Sequence, residues 1–314
     1  LDTTQLRALR SAQLRALDTD QIAALTTDQV STLTSGQISS LTTAQIAAIE
    51  TSDIAAMGTT QIKALTSAQV AALTTDQVTA IETSDLSALT SAAFRALGTD
   101  AIDALTSDQV AALGTAQLAA MLTRQVAAIG TDDIAALTTN QVNALGTLQV
   151  RALTTDQIGA LTTDQMAAMK TALVNALSTS QMQAVSTDDI AAMGTAQMRA
   201  LSSSQVAALT TDQVQAIETA DLAVISSLTL KGLTTDGIQA LTTEQVASLG
   251  TAQVMGLTNA QLAAMETDDV QSLTTSQVRV LTSTQLTALT TDQVGALTTT
   301  QAQALSTGHV SALT

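Results

Sequence analysis

The sequence predicts an all-α solenoid built from very short helices, one for each eight-residue repeat; a β-solenoid is the alternative. Three observations support this prediction. An octad of the form Leu-Thr-Thr-Asp-Gln-Val-Ala-Ala repeats along the whole chain. Of the 314 residues 46% are hydrophobic, yet there is one Phe and no Trp, Tyr, Pro or Cys, which excludes an ordinary aromatic core and a disulfide scaffold. The consensus octad also carries the residues of a helix-capping box.

The octads follow one another without insertion or deletion. They fill residues 1–312 as 39 repeats, and Leu313 and Thr314 begin another. We number the positions of each octad from 1 to 8, starting at Leu1. Positions 1 and 6 are large and apolar in nearly every octad, position 3 is Thr or Ser except at Asn259, and position 8 is mostly Ala. We therefore predict that positions 1, 3, 6 and 8 form a buried face and that the variable positions 4 and 7 face water.

The spacing of the apolar residues excludes one continuous helix. Eight residues at 100° each overshoot two turns by about 80°, so the apolar stripe of an unbroken helix would spiral around its axis. The chain must therefore break once per octad, and helices this short are stable only when octads above and below support them. The β-solenoid is favoured less, because Ala is a poor strand former and positions 1 and 6 would lie on opposite faces of a strand.

The Thr-rich joint between octads is the expected helix start. With position 2 as N-cap, its hydroxyl accepts from the position-5 amide, and the position-5 Gln reaches back to the N-cap. Position 3 is the alternative N-cap, because its hydroxyl is more uniform and position 2 admits Glu50, Lys170 and Leu122, which cannot cap. Gly residues at position 2, such as Gly58, suit a chain reversal after a helix end.

A longer repeat lies above the octad. Asp replaces Gln at position 5 in three octads of the first half, and the same replacement recurs 136 residues later: Asp53, Asp85 and Asp133 correspond to Asp189, Asp221 and Asp269. We interpret this as duplication of a block of 17 octads and predict that residues 1–314 form a single continuous array. Because the first and last octads follow the consensus, we expect continuation in a longer chain or end-to-end self-association of copies.

Side chains suited to catalysis or cofactor binding are few. His309 is the sole imidazole and stands where Gln usually stands, so we interpret it as a solvated substitution. Most Met residues replace Leu and Val at positions 1 and 6 and are interpreted as core. We expect no enzymatic activity and no cofactor. A net charge of −16 without stacking aromatics argues against nucleic-acid binding, and polar residues interrupt every apolar stretch, which argues against a membrane span.

One pairing of acidic residues is a candidate calcium site. Wherever Glu occupies position 2, Asp occupies position 5 of the same octad, and calcium prefers such oxygen ligands. The alternative is that these octads are copies of one ancestral variant with both acids solvated at a helix start. The candidate ligands are Glu50, Asp53, Glu82, Asp85, Glu218, Asp221, Glu266 and Asp269.

The octads at 41–46 (LTTAQI) and 65–78 (LTSAQVAALTTDQV) resemble the repeat tracts of very large bacterial surface proteins, often labelled adhesins or haem-utilisation or adhesion proteins. The resemblance covers the whole chain and implies a secreted or cell-surface fibre, stalk or sheath, with binding modules elsewhere. It brings no functional residue, and His309 alone does not support haem binding. The alternative function is a solenoid binding module that recognises a protein, a glycan or an ice surface.

Overall fold

The structure, a computed structural model, describes residues 1–313; Thr314, predicted to belong to a fortieth octad, lies outside the described residues. Over that range the chain forms helices of four to seven residues and no strand, which confirms the all-α class over the β alternative. Contacts divide the chain into two units, Leu1–Leu161 and Thr162–Thr314. The single array over 1–314 stays a prediction.

Each complete octad of the first unit contains one helix. The unit ends at Leu161, which is the first residue of the next octad. The helices are α1 (Thr3–Ala8), α2 (Ser11–Arg15), α3 (Thr19–Ala23), α4 (Thr27–Ser31), α5 (Ser35–Ser40), α6 (Thr43–Ala47), α7 (Thr51–Ala55), α8 (Thr59–Ile62), α9 (Ser67–Val70), α10 (Thr75–Ala80), α11 (Thr83–Ser87), α12 (Ser91–Phe94), α13 (Thr99–Asp103), α14 (Ser107–Ala111), α15 (Thr115–Ala120), α16 (Thr123–Val126), α17 (Thr131–Ala136), α18 (Thr139–Val142), α19 (Thr147–Ala152) and α20 (Thr155–Gly159).

The second unit continues the same pattern. Its helices are α21 (Thr163–Ala168), α22 (Thr171–Ala176), α23 (Thr179–Ala184), α24 (Thr187–Ala192), α25 (Thr195–Ala200), α26 (Ser203–Ala207), α27 (Thr211–Ala216), α28 (Thr219–Leu222), α29 (Ser227–Leu230), α30 (Thr235–Gln239), α31 (Thr243–Ser248), α32 (Thr251–Gly256), α33 (Asn259–Ala264), α34 (Thr267–Ser272), α35 (Thr275–Arg279), α36 (Ser283–Leu286), α37 (Thr291–Gly295), α38 (Thr299–Ala304) and α39 (Thr307–Leu313).

Every helix begins at position 3, so position 2 is the N-cap, as predicted. In α4 the Thr26 hydroxyl accepts from the Gln29 N–H at 3.3 Å, and Gln29 Oε1 accepts from the Thr26 N–H at 2.8 Å. Glu50 caps with its backbone alone, since its side chain makes no cap hydrogen bond. The chain-reversal interpretation of glycine was wrong. Gly58 is an extended N-cap with φ −85° and ψ 171°, and no residue in the described range has a positive φ.

Within each unit, every helix packs on the helix three octads away, as α4 does on α1 and α7, and α24 does on α21 and α27. The position-1 and position-6 side chains fill the interior; Ile46 and Ile49 are 0% and 3% exposed. Burying such a side chain contributes roughly 1.5–3 kcal/mol. Because side-chain hydrogen bonds join helices four octads apart, as from Gln69 to Ile38 and Leu41, one turn of the solenoid holds between three and four octads.

The buried face differs from the predicted one at positions 3, 5 and 8. In the octad from Leu41, Gln45 is buried together with Leu41 and Ile46, whereas Thr43 is exposed and Ala48 is half-buried. At 100° per residue, positions 5, 6 and the following position 1 fall within a sector of about 100°, and positions 3 and 8 lie about 60° outside it on either side. The position-3 hydroxyl is therefore not part of the core. Phe94, at position 6 of its octad, is 0% exposed and lies in the interior with the other position-6 side chains.

Gly232, at position 8, marks a close approach between α26 and α29. A Cβ there would lie 2.4 Å from the Ser203 carbonyl oxygen, whereas a Cβ at Gly295 in α37 would meet nothing within 4 Å. We expect Gly232→Ala to destabilise the protein by about 1–3 kcal/mol through overpacking. Gly295→Ala is the matched control and should stabilise by about 0.5–1 kcal/mol. Urea unfolding followed by circular dichroism measures both; equal stability of the Gly232 variant and the parent would contradict the close approach.

Candidate functional site

The buried position-5 glutamine joins two helices four octads apart. Oε1 of Gln69 accepts from the N–H of its own N-cap, Thr66, at 2.8 Å. Nε2 of the same amide donates to the carbonyl oxygens of Ile38 and Leu41, both at 2.8 Å. Ile38 lies in α5 and Leu41 is its C-cap. One amide therefore pairs with an N–H at the start of α9 and with two carbonyl oxygens at the end of α5. We call this arrangement a glutamine bridge.

Glutamine bridges recur throughout both units with the same separation. Nε2 donates to the carbonyls 31 and 28 residues earlier in Gln37, Gln45, Gln61, Gln69, Gln77, Gln109, Gln117, Gln141, Gln149, Gln157, Gln197, Gln205, Gln213, Gln245, Gln253, Gln277, Gln285, Gln293 and Gln301. Each bond contributes about 0.5–1.5 kcal/mol net.

Sequence reasoning found only half of the bridge. It predicted that Gln Oε1 accepts from the N–H of its own N-cap. A Glu side chain could make the same contact, because the contact needs only an acceptor. The donor half requires an amide, because a carboxylate offers no N–H. The signal was present: position 5 is Gln in most octads and Glu in none, although Glu244 shows that Glu is accepted at the neighbouring position 4.

The six aspartates at position 5 are buried in place of the amide, with exposures of 2–7%. Some accept from the position-3 hydroxyl three octads earlier. Thr27 Oγ1 donates to Asp53 Oδ1 and Ser107 Oγ donates to Asp133 Oδ1, each at 2.7 Å. The Thr59 hydroxyl donates to Asp85 in the same way. These octads cannot form a glutamine bridge, because a carboxylate has no donor for the carbonyls four octads earlier.

The structure places the two halves of each calcium candidate in different environments. The four Asp side chains are buried, whereas the four Glu side chains are exposed N-cap residues whose side chains make no cap hydrogen bond: Glu50, Glu82, Glu218 and Glu266. Across residues 1–313, no group of three or more His, Cys, Asp and Glu side chains is arranged to hold a metal ion. Calcium binding at these pairs stays a prediction.

Asp269 is the buried carboxylate with the most perturbed protonation. Its Oδ2 has no hydrogen-bond partner. Burial raises the pKa of Asp269 to about 6; the Glu266 backbone N–H opposes the rise, and the charges of Glu266 and Asp268 add to it. Burial, aided by the charge of Glu218, also raises the pKa of Asp221. A proton would give either carboxyl the donor that the glutamine bridge supplies elsewhere.

His309 occupies position 5 of its octad and is half-buried, and it takes over one function of the missing glutamine. Its Nδ1 accepts from the Ser306 N–H at 3.4 Å, as Gln Oε1 does in other octads. The Ser306 hydroxyl in turn accepts from the His309 N–H at 3.2 Å.

The helices of the described range are all too short and too polar to traverse a lipid bilayer.

Turns of octad helices joined by buried glutamine amides define a helical solenoid of the repeat-protein class. The chain belongs to the ALTTAQ repeat family, whose profile matches residues 1–35, 46–80, 78–115, 110–147, 141–171, 184–216, 214–251 and 262–299. These matches support the predicted repeat tract, and they do not extend to the adhesin or haem-utilisation labels. A comparison with curated proteins finds no match to the chain.

Proposed function

We propose that the chain is a non-enzymatic structural repeat protein that forms an extracellular or cell-surface fibre, stalk or sheath, in which copies associate end to end. The glutamine bridge is the observation that carries this proposal. The position-5 glutamine of most octads holds one turn to the next, and the atoms that it reaches four octads away are backbone carbonyl oxygens. Contacts between neighbouring repeats are what stabilises an extended repeat scaffold.

The side chains that resemble catalytic groups also have structural partners. Position-2 hydroxyls such as those of Thr26 and Thr66 accept the N–H of the third helical residue. The imidazole of His309 accepts a helix N-cap N–H. A nucleophile or general base needs a free, aligned partner, so these contacts support a scaffold rather than an active site.

The extracellular or cell-surface location rests on the resemblance to repeat tracts of large bacterial surface proteins. The net charge of −16 supports it as well, since a strongly acidic solenoid stays dispersed and resists unspecific lateral association. A fibre of this kind would associate at its ends and repel along its sides.

Electron microscopy of the purified chain, together with sedimentation velocity over a hundredfold range of concentration, tests the proposal. We expect extended particles whose length and mass rise with concentration. Compact particles that stay monomeric at every concentration would contradict it. The same sample on a glycan array and in an ice-recrystallisation assay tests the binding-module alternative, for which specific binding by monomers is the expected result.

A further inference from the structure

We propose that each unit of the solenoid has an acidic face and a basic face, and that copies lie side by side with the acidic face of one copy on the basic face of a second copy. This inference rests on the proposed function, because it names the surfaces through which fibres would assemble laterally into a sheath. The two faces follow from the order in which charged octads stack within each unit.

Acidic side chains occupy octads whose helices stack on one another. In the first unit α4, α7, α10 and α13 contact in succession, and so do α11, α14, α17 and α20; we call each such series a column. All eight octads carry Asp or Glu, and none carries Lys or Arg. The glutamine bridge from Gln109 to the carbonyls of Val78 and Ile81 joins α14 to α10, so the two columns lie side by side.

Exposed aspartates at position 4 dominate this surface, which we call the acidic face. In the first unit they are Asp28, Asp76, Asp100, Asp108, Asp132 and Asp156. Position 4 lies in the first turn of each helix, where an acidic side chain is favoured by the helix dipole. The dipole acts on every octad alike, so it does not explain why the aspartates are confined to these columns.

The second unit has the same arrangement. Its columns are α21, α24, α27 and α30, and α28, α31, α34 and α37, in which successive helices again contact. All eight octads are acidic and free of Lys and Arg. The bridge from Gln245 to the carbonyls of Val214 and Ile217 joins α31 to α27. The offset of 136 residues carries each acidic column of the first unit onto one of the second, so the repeated block contains a complete acidic face.

Basic side chains lie on the other side of each turn. In the first unit the chain passes from the acidic α10 and α11 through the basic octad of α12 to the acidic α13 and α14. One turn holds between three and four octads, so α12 lies between half and two thirds of a turn from both α10 and α14. The bridge of Gln125 joins α16 to α12 through the carbonyls of Arg95 and Leu97, and α19 packs on α16. These three octads expose Arg95, Arg124 and Arg151, which form the basic face.

The separation of charge holds in the second unit as well. α22 packs on α25, and their octads expose Lys170 and Arg199. The octad of α29, which exposes Lys231, lies along the chain between the acidic α27 and α28 and the acidic α30 and α31. In the described part of the chain only the first octad, with Asp2 and Arg7, contains charges of both signs.

A second copy matches these faces in spacing as well as in sign. Both faces recur once per turn of the same solenoid, so acidic and basic side chains have the same spacing along it and stay in register over every turn that two copies share. A cationic peptide would match the acidic face and leave the basic face uncovered. Because the two faces differ, the contact is heterologous and can add further copies on both sides.

The net charge restricts lateral contact to this orientation. The chain has 27 acidic and 11 basic side chains, so two acidic faces repel each other. Physiological salt screens exposed charges beyond about 8 Å, whereas charges that meet across an interface are closer than this. The sides of a fibre therefore repel where like faces meet and attract where unlike faces meet, which fixes the register of neighbouring copies.

The test compares two double variants that change the net charge in opposite directions. Arg95→Glu with Arg124→Glu reverses two charges of the basic face, and Asp76→Lys with Asp100→Lys reverses two charges of the acidic face. All four side chains are exposed. Electron microscopy and small-angle X-ray scattering in physiological salt give the width of the particles, which side-by-side contact increases and end-to-end contact leaves unchanged. Sedimentation velocity gives the association constant, and circular dichroism checks helix content.

We expect each variant alone to associate laterally about tenfold more weakly than the parent, with unchanged helix content. An equimolar mixture of the two variants should recover to within about threefold of the parent, because the reversed faces then match each other. Net charge alone would instead weaken association of the arginine variant and strengthen that of the aspartate variant, and this result would overturn the inference. A mixture that associates no better than the separate variants would overturn it too.

The width of the parent particles separates this inference from the proposed function. Parent particles that grow in length and keep the width of a single chain would overturn the inference and leave the proposed function intact, since copies would then join at their ends alone. Parent particles that stay compact and monomeric would overturn both.

Discussion

Gln69→Glu is expected to destabilise the first unit by about 3–5 kcal/mol at pH 7, because it leaves a buried charge without a partner. Gln69 is 2% exposed, and its Nε2 donates to the Ile38 and Leu41 carbonyls. The substitution keeps the shape and the acceptor for the Thr66 N–H, but it sets a carboxylate against two carbonyl oxygens. Urea unfolding gives the free energy of unfolding, and hydrogen exchange should show the loss concentrated in α5 and α9.

Gln21→Glu is the matched control for this prediction. It makes the same chemical change at an exposed glutamine, whose Oε1 accepts the Asp18 N–H and whose Nε2 has no partner in the described chain. We expect a change within about 0.5 kcal/mol, as for other surface substitutions. Equal destabilisation by the two substitutions would show that capping, and not the bridge between turns, is the dominant contribution of position 5.

Asp269→Gln is expected to stabilise the second unit by about 1–3 kcal/mol at pH 7. The substitution removes a buried carboxylate whose Oδ2 has no hydrogen-bond partner. It also places an amide at position 5, from which the glutamines of neighbouring octads donate to the carbonyls 31 and 28 residues earlier. For residue 269 these are the carbonyls of Ile238 and Leu241. Asp268→Asn removes a charge from the adjacent exposed side chain and should change stability little.

The pH dependence of unfolding separates this effect from a general gain in packing. The pKa of Asp269 is raised from 3.8 to about 6 in the folded chain, so the native state binds the proton more tightly than the unfolded state. This group therefore contributes stability, up to about 3 kcal/mol, that is fully present below pH 3.8 and is lost as pH rises through about 6. Urea unfolding at pH 4 and pH 7.5 should show that Asp269→Gln removes this loss. An unchanged pH profile would contradict the assignment.

The helices could be predicted from the sequence because their causes are local. Eight residues do not make a whole number of helical turns, so the helix must end in every octad. The Thr26–Gln29 spacing identifies the capping box at which the next helix begins. The set of buried positions could be predicted only in part. The near-invariant hydroxyl of position 3 predicts a buried side chain, whereas Thr43 at this position is exposed. Once the helix begins at position 3, the 100° rotation assigns positions 5, 6 and 1 to the interior.

The bridge between turns could not be predicted in the same way. Which octads meet depends on the path of the superhelix. The partners of Gln69 are the backbone carbonyls of Ile38 and Leu41, and every residue type carries such a carbonyl, so the sequence does not show which ones are bonded. The burial of Asp53 and Asp269 was missed for the same reason, and both were interpreted as solvated or metal-binding acids. Only the uniformity of Gln at a position where Glu would cap equally well pointed to a second function.

Because the glutamine bridge is accepted by main-chain carbonyls four octads away, any octad can supply the acceptors for a glutamine at position 5 four octads later. Gain or loss of whole octads by unequal recombination therefore leaves every remaining donor with an equivalent pair of acceptors. A frame change of one residue would instead move the glutamines off the buried face over the rest of the chain. The fold thus tolerates variation in the number of octads but not insertions of other lengths, as expected if the interpretation of the 136-residue repeat as a block duplication is correct.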